Sequence, residues 1–257
     1  MATTLNPTAL RQTIRKWPGV QRIIDWNVAW EDWWFDFYHH VDTSAQSDEQ
    51  TALGWPADKL NFHYLPIRPK CARRALRNLR LKNLREYTFI DFGSGKGRML
   101  FLADHHGFRR LCGIELRREL HNQASKNARE CRHVDAGFIQ SLNMDASDYE
   151  FPDEKLVLFF FNPFGSEVMA KVLEKLTDSL DRHFRDVWVV LHDSTCAYLA
   201  DQSPQLRFET ARHGYRIYRS IPGRPQPSTS AFTSRSPLPC RQTKNGTSEN
   251  LTRCRGT

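Results

Sequence analysis

The sequence lacks several features that would place it in common protein classes. No apolar run approaches the roughly 20 residues that a membrane-spanning helix needs, and the first twenty residues, MATTLNPTALRQTIRKWPGV, lack the apolar core of a secretion signal. The six cysteines are scattered, with no CxxC pair and no zinc-type spacing with histidines. We therefore expect reduced thiols, a cytoplasmic location, no metal site and no membrane partner.

The positive charge is unevenly distributed along the chain. The net charge is +8, and residues 221 to 257 hold six basic residues against a single acid, so five of the eight charges lie there. Overall basicity is therefore a poor guide to partners. The same segment is rich in Pro, Ser, Thr and Gly and poor in large apolar residues, which predicts a disordered tail over 221–257. A docking motif within this tail is the alternative.

Residues 1–59 contain six of the seven tryptophans. Trp26, Trp30, Trp33 and Phe37 follow the i, i+4, i+7, i+11 spacing of one helix face. This pattern predicts an N-terminal Trp-rich helical extension that packs its aromatic side chains against the main domain. The alternative is that this face forms a lid or a substrate platform.

Strands and helices are predicted to alternate through a domain spanning 60–220. Five apolar runs read as strands of a parallel sheet, and the fourth, KLVLFFFNPF, is apolar throughout, as a central strand should be. LRFETAR and YRIYRS flank His213-Gly214 and predict a C-terminal antiparallel hairpin. The expected fold class is α/β, with a doubly wound, mostly parallel sheet and a ligand beyond the carboxyl ends of its strands.

The stretch TFIDFGSGKGRML, residues 88 to 100, places a glycine turn between the first strand and the next helix. A dinucleotide fingerprint, G-x-G-x-x-G, would need a third glycine where Arg98 stands. A P-loop needs a glycine where Ile90 stands, and Ser or Thr where Gly97 follows Lys96. The pattern present is D-x-G-x-G-x-G, which begins at Asp91.

This pattern, with an acid ending the second strand, resembles the class I seven-strand S-adenosylmethionine-dependent methyltransferases. The resemblance implies a cofactor site in which Asp91 holds the ligand's ammonium, Glu115 the ribose hydroxyls and Asp145 the adenine amine. Glycines permit unusual backbone angles and close approach of a nucleoside, and helix N-terminal amides suit a carboxylate. The expected cofactor-binding residues are Asp91, Gly93, Ser94, Gly95, Gly97, Arg98, Glu115 and Asp145. A simple turn flanked by ordinary exposed acids is the alternative interpretation.

The fourth strand ends in Asn162-Pro163-Phe164. These three residues resemble the Asn-Pro-Pro-aromatic motif of amino-group methyltransferases, with one proline missing. The resemblance implies that the Asn162 side chain and the Asn-Pro carbonyl accept hydrogen bonds from a substrate amine, and that Phe164 packs on the substrate. The competing interpretation is a strand that simply ends before proline.

The arrangement also resembles an uncharacterised bacterial group of these enzymes, through VDTS at 41–44, Tyr64-Leu65-Pro66 and the run D-x-G-S-G-K-G-R. More distantly it resembles the non-SET histone-lysine methyltransferases. Neither resemblance identifies the acceptor, for which a protein amine or a small molecule is favoured. By position, the candidate bases are His192, Asp193 and Glu167.

The segment RPKCARRALRNLRLKNLR, residues 68–85, contains eight basic residues and no acid. It predicts a helix with a solvated basic face and a leucine stripe toward the core. The alternative is a contact with RNA or with an acidic protein. A non-catalytic cofactor-binding protein and an RNA-directed methyltransferase are therefore the two rival functions.

Overall fold

The computed structural model describes residues 18–44, 64–132 and 138–222. The predicted tail lies outside them apart from its first two residues, and the predicted domain boundaries stay predictions. The helices are α1 Pro18–His39, α2 Pro69–Arg77, α3 Arg98–Asp104, α4 Arg118–Glu130, α5 Ser166–Arg182 and α6 Ala197–Gln202. The strands are β1 Tyr87–Phe92, β2 Arg110–Glu115, β3 Ile139–Asn143, β4 Lys155–Phe161, β5 Val187–His192, β6 Leu206–Arg212 and β7 Tyr215–Ser220. None of the helices in these ranges is long and apolar enough to cross a membrane.

The strands form one seven-stranded sheet in the order β3-β2-β1-β4-β5-β7-β6. β1 to β5 are parallel, whereas β7 is antiparallel to both β5 and β6. The strand order reverses between β1 and β4, so the loops that follow these two strands diverge and leave a crevice. The predicted α/β fold and its C-terminal hairpin are confirmed.

The central strands are buried on both sides, and alternate side chains supply two different cores. In β4, Val157 and Phe159 face a core that also contains Phe35 and the apolar residues of α2 and α3. Leu158 and Phe160 face the opposite core, which is covered by α5 and α6. This double burial explains why β4 carries no polar side chain after Lys155.

The basic segment 68–85 forms a shorter helix than its sequence predicts. α2 ends at Arg77, and the chain then turns before a short 3-10 helix at Leu84–Glu86. Asn78 caps α2, and its side-chain amide donates to the carbonyl of Arg74 at 2.7 Å. This local side-chain bond competes with continuation of the helix.

The aromatic side chains of α1 do not pack against the domain, so that prediction is wrong. Trp26, Trp30, Trp33 and Phe37 are between 51% and 65% exposed. The buried face is the opposite one, where Phe35 and His39 are 3% and 2% exposed. Helical spacing identified a common face correctly, but it could not show which face meets the domain.

A polar cluster attaches α1 to the rest of the domain. Asp36 accepts hydrogen bonds from the backbone amides of Thr43 and Ser44, at 3.0 and 2.9 Å, and from both hydroxyls. The Arg98 guanidinium, 2% exposed, donates to Asp32, Thr43 Oγ1 and Ser44 Oγ. Arg98 begins α3 directly after the glycine turn, so the cluster joins α1 and the VDTS segment to that turn.

We predict that Asp36→Ala lowers the free energy of unfolding by about 3–5 kcal/mol, because it removes an acceptor that faces a buried guanidinium. Trp33→Ala on the same helix is the matched control and should change it by no more than about 0.5 kcal/mol, since Trp33 is exposed. Urea denaturation measures both. Equal effects of the two substitutions would contradict the assigned role of Asp36.

Candidate cofactor and acceptor site

A cavity of about 670 Å³ opens at the carboxyl ends of β1, β2 and β4. It lies where the strand order reverses, which is the position expected for a ligand in an open α/β sheet. Ten of the eleven predicted site residues line it: Asp91, Gly93, Ser94, Gly95, Arg98, Glu115, Asp145, Asn162, Pro163 and Phe164. Gly97 is not among the lining residues.

The glycine turn adopts backbone angles that ordinary residues avoid. Gly93, Gly95 and Gly97 have φ values of 73°, 54° and 89°, in the left-handed region where a Cβ is unfavourable. The amide of Gly93 donates to the carbonyl of Ile114 at 2.8 Å, which ties the turn to β2. Gly97 precedes α3 and faces Phe101 and Ala124, so its role is to shape the backbone.

Glu115 ends β2 and is buried against the glycine turn. Its Oε2 accepts from the amide of Gly95 at 2.9 Å, and its Oε1 accepts from the amide of Arg117 at 2.8 Å. Burial raises the pKa of Glu115, and these two amides oppose that shift. Each carboxylate oxygen keeps a second lone pair for a further donor, so the site can accept two ligand hydroxyls.

The side chain of Asp91, near the end of β1, has no hydrogen bond in the described part of the chain, although the residue is only 4% exposed. Burial raises the pKa of Asp91 well above its usual value, and the charge of Glu115 adds to that rise. A buried carboxylate without a partner is unfavourable. The arrangement therefore suits a cationic ligand group in the cavity.

Asp145 follows β3 and lines the cavity beside Met144 and Ala146. Its Oδ1 accepts from the amide and the hydroxyl of Ser147, at 2.8 and 2.7 Å. These bonds cap a 3-10 helix at Ala146–Asp148 and hold the carboxylate in place. Within the described residues, Oδ2 has no hydrogen-bond partner, which leaves one acceptor for a ligand.

Tyr64, which precedes β1 in the sequence, lines the cavity and packs against the glycine turn. A Cβ added to Gly95 would lie 2.2 Å from the Tyr64 ring, so glycine is required for this close approach. The Tyr64 hydroxyl donates to the carbonyl of Thr43 at 2.6 Å. Lys96 Nζ lies 5.7 Å from the ring centroid and donates to Asp42 and to the carbonyl of Ser44.

Arg98 lines the cavity, but its charged end is committed elsewhere. Among the described residues, its guanidinium donates to Asp32, Thr43 and Ser44. The guanidinium is therefore already bonded within the protein, and the predicted cofactor contact of Arg98 stays a prediction. The guanidinium instead joins the glycine turn to α1.

Asn162 adopts a left-handed backbone conformation, with φ of 44°, at the end of β4. Its side-chain oxygen accepts from the amide and hydroxyl of Thr195, at 3.2 and 3.3 Å. Pro163 lies against the glycine turn, since a Cβ on Gly93 would lie 2.3 Å from Pro163 Cβ. Phe164 is 8% exposed and meets Phe160 edge to face.

The three candidate bases occupy different environments. Asp193 lines the cavity, with φ of 46° and its amide bonded to the carbonyl of Gly214 at 2.7 Å. His192 is 4% exposed and packs edge to face on Phe161. Burial lowers the pKa of His192, while Asp193, 3.1 Å away, opposes that shift. Glu167 is exposed in the first turn of α5 and is not among the cavity-lining residues.

Sequence reasoning missed Thr195, which lies in the loop after β5 and holds Asn162. No motif marks it, because the contact joins residues 33 positions apart. Thr43 and Ser44 were found only through the resemblance of the VDTS segment to a known group. Their partners, Asp32 and Asp36, carried no signal apart from their spacing on a helix.

No protein-family model matches this chain, and no curated protein matches it. Solved structures similar to it include an RNA methyltransferase from Salinibacter ruber in complex with S-adenosyl-L-homocysteine, at 23% identity and a TM-score of 0.42, covering 64% of this chain and 97% of that one. A ribosomal protein L11 methylase from Lactobacillus delbrueckii subsp. bulgaricus is 15% identical, with a TM-score of 0.41 and coverages of 60% and 77%.

A third similar structure is a predicted N6-adenine-specific DNA methylase from Listeria monocytogenes, at 15% identity and a TM-score of 0.45, covering 62% of this chain and 52% of that one. These likenesses concern the fold. Within the described residues the strand order is β3-β2-β1-β4-β5-β7-β6, and β7 is antiparallel to both of its neighbours.

Proposed function

We propose that this chain is an S-adenosylmethionine-dependent methyltransferase that acts on an amino group. The observation that carries the proposal is the pair of buried carboxylates, Asp91 and Glu115, which face one cavity beside a glycine turn. The Asp91 carboxylate needs a donor or a cation from a ligand, and the Glu115 carboxylate, already bonded to two amides, can accept further donors. A ligand with an ammonium group and two vicinal hydroxyls, as in a methionine-substituted nucleoside, meets both needs.

The cavity residues fit this cofactor in a consistent arrangement. Asp91 would hold the ammonium, Glu115 the ribose hydroxyls and Asp145 the adenine amine. The positive-φ glycines leave room for the nucleoside to approach the backbone. When bound, the cofactor supplies an activated methyl group on a sulfonium.

Asn162-Pro163-Phe164 would orient the acceptor amine at the edge where β4 ends. Thr195 holds the Asn162 side chain, and Pro163 packs against the glycine turn. Both contacts fix the segment relative to the cofactor half of the cavity. When the methyl donor is already activated, positioning of the acceptor accounts for much of the rate acceleration.

An ammonium acceptor must lose a proton before its nitrogen can attack. Of the three candidate bases, Asp193 is the one that lines the cavity in the described part of the chain. We assign it the role of proton acceptor, directly or through water. Asp193 directly follows β5 and Asn162 directly follows β4, and these neighbouring strands pair Phe161 with His192 at their ends.

One observation favours a nucleic-acid acceptor as the second candidate. Six basic side chains of the 68–85 segment are exposed and form no ion pair with any acid in the described residues: Arg73, Arg74, Arg77, Arg80, Lys82 and Arg85. Phosphate backbones bind to such surfaces. The first two basic residues of the segment, Arg68 and Lys70, are instead paired with Glu31 of α1.

We predict that Glu115→Ala weakens S-adenosylmethionine binding by roughly 1–3 kcal/mol, because the ribose hydroxyls lose their acceptor. Glu119→Ala, an exposed acid in the first turn of the following helix, is the control and should bind normally. Isothermal titration calorimetry measures both affinities. Unchanged binding in the Glu115 variant, or tighter binding of NAD, would contradict the site assignment.

Asn162→Gly should separate catalysis from binding. Glycine keeps the left-handed backbone but removes the side chain that positions the amine. We expect turnover to fall roughly a hundredfold or more, while cofactor affinity changes less than about threefold. The assay is transfer of a labelled methyl group into a cell lysate, sorted into protein, RNA and small molecules.

Label in RNA would select the nucleic-acid acceptor and exclude a protein or small-molecule amine as the substrate. Saturable cofactor binding without any labelled fraction would indicate a non-catalytic binding protein. Equal labelling by wild type and Asn162→Gly would show that the segment Asn162-Pro163-Phe164 ends β4 without positioning the substrate.

A further inference from the structure

The outer face of α1 carries five exposed aromatic side chains in a row. Their exposed fractions lie between 51% and 65%, and neighbouring ring centroids are 5.2 to 6.4 Å apart. We call this surface the aromatic stripe, and its members are Trp26, Trp30, Trp33, Trp34 and Phe37. At 1.5 Å per residue it extends about 17 Å along the helix. A contiguous exposed apolar surface of this kind marks an interaction site.

Three acids of α1 lie on the side that meets the domain, away from the aromatic stripe. Asp32 and Asp36 face Arg98, and Glu31 pairs with two basic residues of the 68–85 segment. These acids are therefore neutralised on the side that meets the domain. The aromatic stripe itself carries no acid, and the exposed Arg22 lies one turn before it.

The charged residues that precede Asp25 in the sequence are all basic. Residues 1 to 24 contain four basic residues and no acid. Basic residues next to an amphipathic aromatic helix are attracted to anionic lipid headgroups. The charge pattern thus complements a negatively charged membrane surface.

We propose that the aromatic stripe docks onto a membrane surface containing anionic lipids, with α1 lying in the plane of the interface. Four of its five side chains are tryptophans, whose rings favour the boundary between headgroups and acyl chains and whose N–H groups can donate there. A seam between two helices of a dimer would instead favour aliphatic side chains.

This docking departs from the expectation of no membrane partner, which rested on the lack of a spanning segment. An interfacial helix needs one apolar face and does not cross the bilayer. The buried ion pairs on the inner face of α1 keep it attached to the domain while the aromatic stripe remains exposed. The methyltransferase would thereby be brought to the membrane surface.

The test is co-sedimentation of the full chain with vesicles of phosphatidylcholine alone or mixed with phosphatidylserine. The wild type should partition onto the mixed vesicles, and its tryptophan emission should shift to the blue. Trp30→Ser/Trp33→Ser/Trp34→Ser should lower that partition by about tenfold or more, and high salt should weaken the wild-type interaction.

Phe184→Ser/Phe208→Ser is the matched control, because both side chains are 46% exposed aromatics outside α1. It should bind vesicles like the wild type. Thermal melting and cofactor titration of each variant check that the fold and the cofactor site are intact, so failure here is distinct from failure of the proposed function.

Three outcomes would overturn the proposal. The wild type remains in the supernatant with both kinds of vesicle, or the triple variant partitions as the wild type does. Alternatively, light scattering without vesicles shows self-association that the triple variant abolishes, and vesicle binding is absent. That last result would identify a second copy of the chain as the occupant of the aromatic stripe.

Discussion

The guanidinium of Arg98 is almost completely buried, and a buried charge requires acids and acceptors around it. In this chain they come from α1 and from the segment that follows it, through Asp32, Thr43 and Ser44. This requirement orients α1 with its polar face inward and leaves its tryptophans outward. Because Arg98 directly follows the glycine turn, the same contacts connect the N-terminal helix to the floor of the proposed cofactor site.

The reversal of strand order between β1 and β4 gathers the other site residues. Asp91 and Glu115 end neighbouring parallel strands, so two carboxylates are buried on one side of the same crevice. Burial raises the pKa of both carboxyls, which means that their charged forms are disfavoured. A ligand that supplies hydrogen-bond donors or a positive charge would stabilise the charged forms. Pro163, from the far side of the reversal, packs against the glycine turn. The residues that follow β4 are thereby in contact with the glycine turn that follows β1.

The sheet and the residues that line the cavity at its carboxyl edge were predictable, because apolar runs, the glycine spacing and acids at strand ends are local signals. The pattern around Asp91 even distinguished this turn from two other nucleotide-binding turns. The orientation of α1 was not predictable, because it depends on Arg98, which lies more than 60 residues further along the chain. The hydrogen bonds from Thr195 to Asn162 could not be predicted either, because the two residues are 33 positions apart in the sequence. Long-range polar pairs leave no periodicity in a sequence.

In the proposed function, the Asp91 carboxylate binds the ammonium group of S-adenosylmethionine. Calorimetry of cofactor binding, repeated in buffers of different ionisation enthalpy, counts the protons exchanged. An ammonium beside Asp91 lowers a carboxyl pKa that burial had raised, so binding at mildly acidic pH should release protons. The release should shrink as the pH rises above the raised pKa, and Asp91→Asn should lack most of it. Proton uptake by the wild type at mildly acidic pH, or no exchange there, would contradict the account.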